Sequence, residues 1–303
     1  MRNLNLSQIE TQEKSIKKAV IPIAGLGTRF LPLSKVVPKE LWPLVDKPMI
    51  QYIIEEAKAS GINQIIFVFN PESKDVLDYF KKSPQLEKFL KDRKKDHLLA
   101  ELKNLEEICR DISFSYVFQR KPLGDGHAVL QAKKLIGEEP FFVLYPDDIV
   151  ESKVPCLLQL IQVFKTSQKP VMALYRLPKE RLPSYGVISG EKIANRLYKI
   201  KKIIEKPSIE EAPSDLVIVG KRILTPEVFT YLQKAKPQKR GEIGLTETFA
   251  DMVKDGKIIY GYEIEGKWLE CGDKIGWLKS HLYLSLKHPQ FGEKLKKYLK
   301  EII

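Results

Sequence analysis

Residues 19–52 read AVIPIAGLGTRFLPLSKVVPKELWPLVDKPMIQY, and the order of features within them decides the fold class. Ala19 to Ala24 is a short unbroken apolar run, the pattern of a buried strand. It breaks into a loop carrying Gly25, Leu26, Gly27, Thr28 and Arg29. Glycines directly after such a strand let backbone N–H groups approach an anion, because no Cβ stands in the way. Arg29 and Lys39 add fixed positive charge beside them. Lys39-Glu40 follows a proline, and Asp46-Lys47-Pro48 turns the chain into a helix predicted over 49–59. Strand, glycine loop and helix in this order read as a site holding the phosphates of a nucleoside triphosphate.

Two familiar phosphate loops do not fit. A P-loop needs a Gly-Lys pair that this loop lacks. The dinucleotide fingerprint needs a third glycine where this chain has Phe30. The longer string GLGTRFLPLSKVVPKELWPLVDKPMIQY resembles the signature of the bacterial UTP–glucose-1-phosphate uridylyltransferases, within the sugar-nucleotide pyrophosphorylase superfamily. The resemblance runs from about Lys17 into the tail, with its motifs in family order. It implies an α/β, Rossmann-like nucleotidyltransferase (GT-A-like) three-layer sandwich with a mixed, mostly parallel central sheet. A flexible extension over 1–16 would precede a single domain over 17–303. That domain would hold a nucleotide-binding half to about residue 150, a sugar-binding half to about 273, and C-terminal helices.

The composition fits that expectation. A chain of 303 residues with 43% hydrophobic and 30% charged residues can bury one large core. Its 51 basic and 39 acidic residues leave a formal charge of +12, open to nucleic acid, a membrane surface or anionic small substrates. The lysines are spread along the chain with no interleaved aromatic residues, which argues against nucleic acid. Cys109, Cys156 and Cys271 are odd in number, far apart and without metal spacing, which suits a reducing cytoplasm. The four histidines show no metal spacing, and no apolar run is long enough for a membrane span.

Further along, strands are expected at 64–69, 113–119 and 140–144, and charged helical sequence between 84 and 110. A short helix capped by Ser73 is expected to reach about Lys82. Gln119 leads into Leu123-Gly124-Asp125-Gly126-His127-Ala128, a tight loop opening a helix predicted over 128–136. Tyr145-Pro146-Asp147-Asp148 follows a strand, where ligands of open α/β sheets bind and where carboxylates suit Mg²⁺. Pro-rich breaks between the later strands suggest a partly antiparallel section. The tail shows Leu282, Leu286, Leu295 and Leu299 as a stripe expected to cover the core.

The resemblance assigns roles that spacing alone leaves open. It implies Ala24 to Arg29, Lys39 and Glu40 on the triphosphate, with Gln119, Gly124 and Gly126 on the base. Tyr185, Gly186, Glu205, Lys206, Val219 and Gly220 would hold the sugar phosphate. Asp147 would hold Mg²⁺, with Glu270 in place of the family's second aspartate. Arg29, Lys39 and Lys206 would carry catalysis. The partners implied are UTP and glucose 1-phosphate in a homo-oligomer, dimer or tetramer. Asp125, Gly244, Glu247 and Glu270 depart from the family pattern, which leaves another base or sugar 1-phosphate, or a silent subunit, as rivals. His127 reads as a structural residue at the helix start.

Overall fold

The protein is described by a computed structural model over residues 15–71, 75–238 and 241–302. Nine strands form one sheet: β1 Lys18–Ile23, β2 Gln64–Phe69, β3 Ser113–Phe118, β4 Phe141–Leu144, β5 Val171–Arg176, β6 Gly186–Ala194, β7 Leu197–Glu205, β8 Leu216–Leu224 and β9 Tyr260–Glu263. Their spatial order is β3-β2-β1-β4-β8-β5-β9-β7-β6. β1 is central to a parallel block, paired with β2 on one side and β4 on the other. β8 and β7 run against the rest, so the second half of the sheet is mixed.

Helices cover both faces, and that explains the apolar runs. Ala19, Ile21 and Ile23 point into one core with Met49–Ala59 and Cys156–Ser167, while Val20 points into the other. Gln64–Phe69 and Phe141–Leu144 alternate in the same way. A strand buried on both faces has no polar side, so alternation is lost from its sequence. Of the expected N-terminal extension, residues 1–14 lie outside the described residues, as does Ser73. Ile16 is 3% exposed and belongs to the core, so ordered packing already includes it.

Two expectations need correction. The helix after Gly124 begins at Asp125 and ends at Gln131, with Lys133–Ile136 a separate short helix. Gly124 at φ 96° breaks the chain there, and an acidic residue in the first turn suits a helix N-terminus. Asp148–Glu151 pairs with Lys267–Glu270 as a separate antiparallel ribbon. The leucine stripe of the tail does not cover the core: Leu282 is 43% exposed, and Trp277, Tyr283 and Leu284 face inward instead.

One buried ion pair ties the layers together. Lys221 on β8 is fully buried and donates to Glu56 Oε2 at 2.6 Å, while Glu56 Oε1 accepts from the Leu157 N–H at 3.2 Å. Removing one partner of such a pair strands the other charge away from water, at about 3–5 kcal/mol. Lys221→Met is expected to lower the unfolding free energy by that amount. Lys221→Met with Glu56→Gln should recover most of it, which urea titrations of the three proteins would check.

Candidate active site

The carboxyl ends of β1, β3 and β4 and the turn after β7 meet around one cavity of about 740 Å³. Its walls include Ala24, Gly25, Leu26, Gly27, Thr28, Arg29, Lys39, Glu40, Gln119, Gly124, Asp147, Glu205 and Lys206. Residues nearly two hundred positions apart thus share one space.

The glycine loop folds back through a 3-10 turn, Thr28–Phe30. Gly27 is left-handed at φ 59°, and its carbonyl accepts from the Phe30 N–H at 2.8 Å and the Ser34 hydroxyl at 2.9 Å. Gly25 is a different case, since a Cβ built on it would meet nothing within 4 Å. Packing within the chain does not demand glycine there; the open side lets an anion reach the backbone.

Below the loop, Lys39 Nζ donates to Asp147 Oδ2 at 2.7 Å. Burial alone would lower the Lys39 pKa, but the Asp147 and Glu40 carboxylates hold it above the usual lysine range. Burial likewise works to raise Asp147, and Lys39 overcomes it and holds the carboxyl below its usual value. Glu40 is pushed up to about 7 by burial, against the pull of Lys39. Its Oε1 is buried without a hydrogen-bond partner. A Cβ on Gly272 would lie 3.3 Å from both an Arg29 Nη and Asp147 Oδ2, so these groups converge.

Asp148 faces away from this cluster. Its Oδ1 accepts from Trp268 Nε1 at 2.7 Å, and its Oδ2 would overlap a Cβ on Gly220. Burial first, then the Asp147 charge, push its carboxyl up to about 7. The folded protein therefore holds this proton to higher pH than the unfolded chain, so the contribution of Asp148 to stability is fullest below about pH 4 and is lost as pH rises through about 7. Asp148→Asn keeps the acceptor for Trp268 without the charge. It is expected to flatten the fall in melting temperature across that window, leaving the smaller slope that Glu40 supplies with the same sign.

On the opposite wall, Gln119 is 6% exposed. Its Nε2 donates to the Gly124 carbonyl at 2.8 Å and lies 2.9 Å from His127 Nδ1. Burial lowers the His127 pKa, which keeps the ring neutral as a structural partner. Gly124 and Gly126 are required by close approach, since a Cβ on either would strike the Ile243 carbonyl at 2.7 and 2.8 Å. Asp125 is a cross-link: its Oδ1 accepts from the Gly126 and Leu245 N–H groups and its Oδ2 accepts from the Tyr145 hydroxyl.

The sugar-side residues divide. Glu205 and Lys206 line the cavity, 3.2 Å apart as an ion pair. Lys206 is left-handed at φ 47°, with its N–H donating to the Tyr185 carbonyl at 3.0 Å. A side chain held there costs about 1 kcal/mol or more, a strain that clusters at functional sites. Gly186 lies beneath, close to Glu205 and Thr246. Val219 is fully buried in the core and Gly220 is filled over by Asp148 and Tyr145, so neither lines the cavity. Tyr185 lies outside it too, with its hydroxyl accepting from Arg181 at 2.8 Å. Glu270 is paired with the same Arg181 and stands opposite Asp148 in the ribbon.

The nucleotidyl transferase family model matches residues 18–284. A UTP–glucose-1-phosphate uridylyltransferase of Staphylococcus haemolyticus is 40% identical over 289 residues, covering 95% of this chain and 99% of that protein. The chain belongs to the nucleotidyl transferase family. Solved structures agree. A UTP-bound UGPase from Acinetobacter baumannii superposes with a TM-score of 0.86 at 37% identity, over 95% of this chain and 100% of that one. A UDP-glucose pyrophosphorylase complexed with UDP-glucose gives 0.82 at 37% identity, over 90% of this chain and 100% of that one. The expected α/β architecture with a mixed sheet and helices on both sides is thus that of a nucleotidyl transferase.

One contributor to this nucleotidyl transferase site escaped the sequence reading. Gln238, in the loop before Gly241, lines the cavity. It sits in no motif, and only the folded chain brings it to the site. No helix is long and apolar enough to cross a membrane among the described residues.

Proposed function

We propose that this chain joins UTP and glucose 1-phosphate into UDP-glucose, releasing pyrophosphate. The observation that carries the reading is the single cavity that unites the glycine loop and Lys39 with Glu205 and Lys206, in a chain of this family. An oxygen of the sugar phosphate attacks the α-phosphorus of UTP, and the bond to the bridging oxygen breaks with its electron pair leaving on pyrophosphate. The attacking phosphate is mostly ionised already, its second pKa being about 6, so no general base is required.

The residues work by position and charge. The open backbone at Gly25, with Thr28 and Arg29, holds the triphosphate, and Arg29 meets the charge that develops on pyrophosphate. Lys39 lies by the α-phosphate, and Lys206 holds the attacking phosphate against the repulsion of two anions. Gln119, its amide nitrogen committed to Gly124 and His127, keeps its carbonyl oxygen to accept from the base N–H. This reading uses residues 17–150 as the nucleotide-binding half and 151–273 as the sugar-binding half, with the helices from 274 packed alongside.

No group of three or more His, Cys, Asp or Glu converges among the described residues. Mg²⁺ needs no such cluster, since it takes one or two carboxylates and completes its shell with phosphate oxygens and water. Asp147 on the cavity wall is the residue that would hold it. The ion would neutralise phosphate charge as a Lewis acid. Glu270, engaged by Arg181, is assigned no part in that set. The same reading carries a cytoplasmic setting, supported by three unpaired cysteines, and a homo-oligomer, supported by Ile275, Leu278 and Leu282 exposed along one helix.

Purified protein, Mg²⁺, each NTP or dTTP and a panel of sugar 1-phosphates test it. Pyrophosphate release is expected with UTP and glucose 1-phosphate above all other pairs. Preference for another pair overturns the specificity, and no release with any pair overturns the reaction.

A further inference from the structure

Gly244 is a glycine without a backbone reason. Its φ of −88° and ψ of 142° are open to any residue. What excludes a side chain is Glu247: a Cβ on Gly244 would stand 1.8 Å from Glu247 Oε2 and 2.7 Å from its carboxyl carbon. One turn into the helix Leu245–Lys254, Glu247 therefore folds back over its own N-terminus and lays its carboxylate where a side chain at 244 would be. Both residues line the cavity.

The charges around the cavity fall into two groups. Arg29 and Lys39 stand by the glycine loop, where phosphates are read. Glu247 stands with Glu205 and Lys206 at the other wall, where Thr246 and Glu205 close over Gly186. Burial, then the neighbouring Glu205 and Asp125 carboxylates, hold the Glu247 carboxyl above its usual range. Lys206 answers the one phosphate of the sugar, and the two carboxylates beside it face what that phosphate carries. They suit a neutral polyol, whose hydroxyls donate to carboxylate oxygens in charge-assisted hydrogen bonds. Buried groups that accept from a particular hydroxyl also discriminate strongly against an analogue that presents it elsewhere.

We propose that Glu247 reads a hydroxyl of the sugar ring, and that Gly244 is glycine so that the Glu247 carboxylate can reach it. This deepens, and rests on, the sugar 1-phosphate reading given above. Glu247 is a specificity residue, and Gly244 is its positioning partner.

Steady-state pyrophosphate release with glucose and galactose 1-phosphates, alongside direct UTP titration by calorimetry, tests the pair. Glu247→Gln, which keeps size and loses charge, is expected to raise KM for glucose 1-phosphate about tenfold and to narrow the glucose-over-galactose preference. UTP affinity should stay within about twofold, at unchanged melting temperature. Gly244→Ala, tolerated by the backbone, should reproduce that loss by displacing Glu247. In a Glu247→Ala background the Gly244→Ala change should then add nothing, because coupled sites are not additive. An unchanged sugar KM, a matching fall in UTP affinity, or additive losses each overturn the proposal. Wild-type protein releasing no pyrophosphate from UTP and any sugar 1-phosphate would instead remove the reading beneath it.

Discussion

Asp147→Asn is expected to lower kcat by about a hundred- to a thousandfold while UTP binding measured without divalent ion holds or tightens. The two halves of that result have one cause. In the structure the Asp147 carboxylate is satisfied by Lys39 at 2.7 Å, and each holds the other in its charged form. Asparagine leaves Lys39 without its anionic partner and free to take a phosphate oxygen, so affinity for the triphosphate alone does not suffer. The carboxylate offered to a divalent ion is lost, and with it the neutralisation of phosphate charge during transfer. Near-wild-type turnover at saturating Mg²⁺ would refute the role of Asp147. Circular dichroism would verify that the variant is folded.

Lys206→Ala is expected to reduce kcat/KM for glucose 1-phosphate by about a hundred- to a thousandfold with UTP affinity unchanged. Alanine is the informative replacement because it keeps a Cβ at the left-handed position, φ 47°, and so keeps the same backbone cost. Glycine would relieve that strain and confuse two effects. The loss then reports the ammonium group, which in the free protein is 3.2 Å from Glu205. With Lys206 removed, Glu205 remains beside the entering phosphate and adds repulsion, so the deficit should exceed that of a lost neutral hydrogen bond. Equal losses in sugar-phosphate use and UTP binding would sink the assignment.

Much of this was legible in the chain because it is local. Periodicity is a property of neighbours, and the boundaries of Gln64–Phe69 fall where its apolar run begins and ends. The open backbone of the glycine loop was legible because access is decided by the residue itself, as Gly25 shows. The order of motifs from Gly25 to Glu205-Lys206 carried the family.

What the sequence could not decide depends on partners distant along the chain. The sequence alone does not show that Glu270 has Arg181 as a neighbour, an ion pair that only the fold creates. Asp125 reads as a departure from a motif until its carboxylate is seen to join Gly126, Leu245 and Tyr145. Gly220 reads as room for a sugar, yet Asp148 and Tyr145 fill that room. The residues at positions 19–52 therefore fixed, by themselves, a strand, an anion loop and the class of chemistry. Which carboxylate faces the phosphates, which is spent on an arginine and which lies over Gly244 were decided by tertiary structure, because a charged side chain takes its role from the groups that surround it once water is excluded.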